Sequence, residues 1–128
     1  MAAISNYLEN ALINVTLRAT SYTAPTTVYV GLFTSDPTDA GSGVEVSGAA
    51  YARQSATFAA PSNGASSTNA NIQFPEAGVL WGTITHFGIY DALTTGNLLY
   101  YGAFTTSKII DTGDVFKIAS GSLTVTLA

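Results

Sequence analysis

The sequence predicts a mainly β, single-domain protein: an antiparallel β-sandwich or jelly roll preceded by one N-terminal amphipathic α-helix. Three observations carry that expectation. Short segments in which apolar residues alternate with Thr or Ser recur along the chain, separated by Gly, Asn, Asp and Pro. A one-face helical pattern is found once, at the N-terminus. The length of 128 residues suits one domain that can bury its own core without staples. On this reading residues 1–24 form the helix and its connection, and residues 25–128 form the sandwich.

The helix comes first. Ile4, Tyr7, Leu8, Ala11, Leu12 and Val15 share one face, while Asn6, Asn10 and Asn14 occupy the others. Ser5 suits the N-cap, Glu9 lies near the positive end of the helix dipole and Arg18 near the negative end. The helix is expected to end near Ala19, because Pro25 disfavours helical backbone beyond Thr23. Such a helix either packs across an edge or end of the sheet or docks as an arm on a neighbouring subunit.

Everything after Pro25 reads as β. Thr27–Thr34 is apolar on both faces, as a central strand covered on each side requires. Ser35–Gly43 is a long turn-forming loop, Tyr51–Phe58 a strand of mixed character, and Pro61–Asn69 a second polar loop with Asn63-Gly64 as a tight turn. Short strands are expected at Asn71–Phe74, Thr83–Tyr90, Leu98–Phe104, Val115–Ile118 and Ser122–Leu127. Asp91–Asn97 and Asp111–Asp114 carry the Gly, Asp and Asn of hairpin or corner turns.

Composition then narrows the function. The chain is 47% hydrophobic but only 9% charged, against about 25% in ordinary domains. Its polar surface is therefore built of Thr, Ser, Asn and Gly, as in Ser122-Leu123-Thr124-Val125-Thr126-Leu127. A neutral surface of this kind is easily desolvated and suits packing against other proteins. The net charge of −4 and a pI near 4.5 argue against nucleic-acid binding, which needs clustered cations. The only cations, Arg18, Arg53, Lys108 and Lys117, are widely scattered in sequence. Without cysteine there are no disulfides, no thiolate chemistry and no Cys-based zinc site. No segment reads as a signal peptide or as a membrane span.

Catalytic chemistry is sparse. His86 is the single histidine, it lies in a strand-like segment, and no G-x-S-x-G elbow accompanies it. It is expected to be a structural or interface residue. The acidic residues Asp36, Asp39 and Glu45, and Asp111 and Asp114, match no calcium-loop spacing and suit turn formation instead. Most aromatics belong to the core, but Tyr100 and Tyr101 are adjacent in a strand and must point to opposite faces. Asn14-Val15-Thr16 matches a glycosylation sequon but falls inside the predicted helix.

A resemblance adds to this reading. The succession Tyr29-Val30-Gly31-Leu32-Phe33-Thr34-Ser35-Asp36-Pro37, Glu45-Val46-Ser47-Gly48 and Tyr51-Ala52-Arg53-Gln54 is distinctive. So are Trp81–Asp91, Gly96–Gly102 and the closing Leu123–Leu127. Together these resemble small tailed-bacteriophage virion proteins, variously described as tail-fibre-like or head-decoration proteins. The resemblance covers nearly the whole chain and implies no enzyme, catalytic residue, cofactor or metal. It implies a virion location, with assembly in the host cytoplasm, and partners among the major capsid protein or other virion proteins, not nucleic acid or membrane.

The expectation is a capsid decoration (cement) protein, a homotrimer on the outer head. Its loops Ser35–Gly43 and Pro61–Asn69 would meet coat protein. Tyr7, Tyr29, Phe33, Asp36, Arg53, Tyr100 and Tyr101 are the candidate interface residues. The alternative is a tail fibre, knob or adaptor subunit, and a third reading is a carbohydrate-binding module for host recognition.

Overall fold

The computed structural model describes residues 2–127. In chain order the elements are β1 (Ala3–Ile4), α1 (Asn6–Leu17), β2 (Val28–Phe33), β3 (Gln54–Ala56), β4 (Ala65–Ser67), β5 (Ile72–Gln73), β6 (Gly82–Tyr90), β7 (Leu98–Ile110), β8 (Lys117–Ile118) and β9 (Thr124–Thr126). Five strands form one antiparallel sheet in the order β1-β7-β6-β2-β3, and β4-β9 and β5-β8 form two separate two-stranded ribbons. The protein is thus mainly β with one N-terminal helix, as the sequence predicts.

Strand alternation sorts the side chains. One face of the sheet carries Val30, Leu32, Ile84, Phe87 and Ile89, which pack with Ile72, Phe74, Phe116, Ile118 and Leu123 from the ribbons and their flanks. This is the main core, and the ribbons form its second layer. The opposite face carries a smaller cluster of Phe33, Tyr90 and Leu98, with Tyr101 against it. The 35–43 loop lies over that cluster: Pro37 is fully buried, and a Cβ built on Gly41 would touch Leu98 at 3.6 Å. Covering on both sides explains why β2 is apolar throughout.

Ser5 caps α1, accepting from the Leu8 backbone N–H at 3.2 Å. Its hydroxyl also donates to the Leu98 carbonyl, its backbone N–H donates to the Leu99 carbonyl at 2.9 Å, and the Asn6 N–H donates to the Asp39 carbonyl at 3.0 Å. The first turn is therefore fastened to β7 and to the 35–43 loop. Beyond it Leu8 is the only buried residue of the helix, Ala11 and Leu12 are half-buried, and Ile13, Val15 and Leu17 are exposed. Among the described residues no helix is long and apolar enough to cross a membrane.

Four boundaries differ from expectation. Residues Ala3–Ile4, read as the lead into the helix, pair with Tyr101 and Tyr100 as an edge strand, too short to leave a periodic signature. The strand expected over Tyr51–Phe58 shrinks to Gln54–Ala56, because Tyr51 and Arg53 turn toward Glu45. The predicted turn at Asn63-Gly64 is present, with both residues at positive φ (53° and 77°). It closes a hairpin through reciprocal Ser62–Ala65 bonds, so the supposed loop contains β4, which pairs with β9. Finally, β7 continues to Ile110 rather than stopping at Phe104, with an irregularity: Ala103 pairs with His86 and Lys108 with Ile84. Phe104–Ser107 therefore bulge opposite the single Thr85.

Candidate interaction surfaces

The densest polar arrangement centres on Arg53. Its Nε and Nη2 donate to the two carboxylate oxygens of Glu45, both at 2.9 Å. Its Nη1 donates to the carbonyls of Ala92 (3.0 Å) and Thr95 (2.8 Å). The guanidinium lies 3.7 Å from the centre of the Tyr90 ring. The Tyr51 hydroxyl donates to Glu45 Oε2 at 2.6 Å and accepts from the Leu32 N–H at 2.9 Å. One ion pair thus joins the 45–53 segment, the 91–97 turn and the backbone of β2. Burial works against the Arg53 charge, but hydrogen bonding and attraction from Glu45 outweigh it and raise the pKa. Burial, with the Glu45 hydrogen bond, pushes the Tyr51 phenol well above its ordinary value. Four hydrogen bonds and the face of the Tyr90 ring hold the guanidinium, so the cluster acts as a fastening.

This placement puts two of the candidate contact residues inside the molecule. Arg53, with a side chain only 8% exposed, is committed inside the molecule. Phe33 is 1% exposed and stacks on Tyr90 at a centroid distance of 6.3 Å. Tyr29 is half-buried on the same strand. Asp36 is exposed but spends one carboxylate oxygen on the Thr38 N–H, shaping the loop. Tyr100 and Tyr101 do point to opposite faces: Tyr100 packs on the main core, and Tyr101 donates its hydroxyl to Asp39. That bond, with burial adding to it, pushes the Tyr101 phenol up to about 12.

Tyr7 lies on the exposed helix. Ile13 (53% exposed) and Leu17 (79% exposed) stand one turn apart on one exposed face of the helix, and Val15 is exposed on the other side. Ile13 and Leu17 were missed in the sequence because they lie off the face that begins at Ile4. The Glu45 and Tyr90 partners of Arg53 were missed as well, since no spacing rule joins segments 8 and 37 residues away.

His86 is half-buried in β6 with its Nδ1 2.8 Å from the Thr85 hydroxyl. Among the described residues no group of three or more His, Asp or Glu side chains is arranged to hold a metal ion. Lys108 on β7 and Lys117 on β8 both border the groove between these strands, Lys117 as the exposed residue between buried Phe116 and Ile118.

No curated protein matches the chain. Residues 3–126 match the family described as Podophage GP4 fiber I protein gp80, a span that takes in every element from β1 to β9. With the match covering nearly its whole length, the chain belongs to the podophage GP4 fiber I protein gp80 family and is a component of the phage virion.

Proposed function

We propose that the chain is a subunit of a phage tail fibre, a building block that works through contacts with other virion proteins and turns over no substrate. The observation that carries this reading is the family match across residues 3–126, whose description names a fibre protein. It favours the fibre over the head-decoration position expected from the composition together with the resemblance. The natural anchor is the exposed pair Ile13 and Leu17, one turn apart on a helix whose hydrogen bonds to the body lie in its first turn. A neighbour covering them would bury apolar area without desolvating a charge. The neutral Thr/Ser strand faces suit contacts between copies in a homotrimer in the same way.

Quantitative mass spectrometry of purified virions tests the assignment. A fibre subunit is present in small multiples of about three or six, as closed rings of subunits require. Copies on the order of hundreds, with binding to empty heads, would instead establish head decoration. Ile13→Ser combined with Leu17→Ser should leave the domain folded but keep it out of particles; normal incorporation would remove the helix from the interface.

A further inference from the structure

The seam between the five-stranded sheet and the ribbons is closed by a strand at one end. There Ala3 and Ile4 of β1 pair antiparallel with Tyr101 and Tyr100 of β7, and Ala2 makes a parallel bridge to Val125 of β9. Followed upstream in the same register, this line runs between Ala103 on one side and Thr124 and Leu123 on the other. Those residues, with Phe104 and Thr105, line a groove of about 510 Å³. Both walls of the groove are open strand edges. Among the described residues β7 has β6 on one side and, beyond Tyr101, no strand on the other. Leu99 bonds to Ser5 on the β1 side, so alternation turns the backbone groups of Ala103 into the groove. The facing wall spends its bonds in the other direction: the Leu123 carbonyl accepts from the Thr68 N–H at 3.0 Å, and Ile118 pairs with Ile72. The bulge adds unpaired groups, because Phe104–Ser107 have only Thr85 opposite them in β6.

We propose that the groove is a strand-acceptor site, filled by an extended arm of another protein that continues the line of β1, antiparallel to β7 and parallel to β9. Main-chain hydrogen bonds to an exposed edge supply affinity in such pairing, and alternate side chains supply specificity. The alternation is set by β1: Ala2 is 6% exposed and belongs to the main core, whereas Ala3 is exposed. Every second residue of the arm therefore faces Phe104 and Leu123 and is apolar, and the residues between are polar. The edge from Ala103 to Lys108 takes about six residues over roughly 20 Å, without proline. A lone strand is required, since a strand already backed by its own sheet would collide with the second wall. β1 and β9 are both paired among the described residues, so a second copy has no described free arm to lend. Lys108 stands at the far end of the edge, where a charge discourages edge-to-edge pairing of two copies. The inference rests on the reading of the chain as a subunit that works through contacts with other virion proteins, whatever its position.

A strand supplied in cis tests the acceptor. The full chain is extended directly before Met1 by Thr-Val-Thr-Val-Thr-Val, which places each Val on the face of Ala2, and compared with an extension of the same residues in the order Thr-Thr-Thr-Val-Val-Val. Amide hydrogen exchange is read by NMR. Exchange in residues 103–108 should slow by about tenfold or more with the alternating extension and stay unchanged with the segregated one. The same segment, followed by exchange and mass spectrometry, should be slower in purified virions than in the free chain. No slowing with the alternating extension overturns the acceptor, and equal slowing with both extensions overturns its strand geometry. Exchange in virions as fast as in the free chain overturns the donor arm. Copy number decides the fibre reading and exchange decides this one, so either can fail alone.

Discussion

Removing Arg53 is the sharpest test of what holds the sheet to its loops. Arg53→Met keeps the stem and deletes the guanidinium. The Glu45 carboxylate, 23% exposed, keeps only the Tyr51 hydroxyl among its two side-chain partners, and the carbonyls of Ala92 and Thr95 lose their donor. Breaking a buried pair by removing one partner costs about 3–5 kcal/mol. Water can reach the exposed quarter of Glu45, so the lower end applies, about 3 kcal/mol. At about 2.1 cal/mol/K per residue, 128 residues unfold with an entropy near 0.27 kcal/mol/K, and the loss lowers Tm by about 11 °C.

Urea denaturation and calorimetry measure this directly, and a cycle with Glu45→Gln should return a coupling energy of about 2 kcal/mol. Amide exchange supplies a local readout. The turn bonds from the Asp91 N–H to the Asn97 carbonyl (3.2 Å) and from the Asn97 N–H to Asp91 Oδ1 (2.7 Å) should open sooner than the core strands. A loss below about 1 kcal/mol, the value of an exposed ion pair, would refute the claim that the cluster is an interior fastening.

Three further outcomes are expected. Gly64→Ala puts a Cβ 2.7 Å from the Leu127 carbonyl oxygen in a residue at φ 77°, and should cost about 1–3 kcal/mol, measured by urea denaturation; an unchanged midpoint would mean the turn relaxes freely. Phe74→Ala removes a ring that is 1% exposed and packs on Tyr51 and Phe116, so chemical denaturation should show a loss of about 3–5 kcal/mol. Tyr101 keeps its proton in the folded state up to about pH 12, whereas an ordinary phenol titrates at 10.0. In that window the folded chain binds more protons than the unfolded one, so this contribution is complete below about pH 10 and falls as pH rises. Tyr101→Phe should flatten the alkaline loss of stability in a pH series of denaturation midpoints, and superimposable curves would count against the Asp39 bond.

Legibility in the sequence follows the range of the interactions. The helix, its Ser5 cap, β2 and β6 are set by local periodicity, and each is found within one or two residues of its expected place at most ends. The Asn63-Gly64 turn was readable because two successive residues at positive φ have few chemical solutions. β1 and β4 were missed, since strands of two or three residues exist only through their partners, whereas β9 falls inside the strand expected over Ser122–Leu127. The tail of β7 was invisible because Thr105-Thr106-Ser107 is neutral and unpatterned, and its bulge depends on where β6 ends. The Arg53 cluster draws on segments as far apart as Leu32 and Thr95, and no local pattern encodes that convergence.

The scarcity of charge, first read as a coat made to be covered, acquires a second meaning from the structure. With only four basic and eight acidic residues, little charge is left for general solvation, and the placement of each becomes informative. Glu45 and Arg53 neutralise one another inside. Asp36, Asp91, Asp111 and Asp114 accept from backbone N–H groups of their own turns, and Asp39 from Tyr101. Most ions of this protein thus build loops, which leaves the strand faces neutral without sacrificing the geometry of the connections.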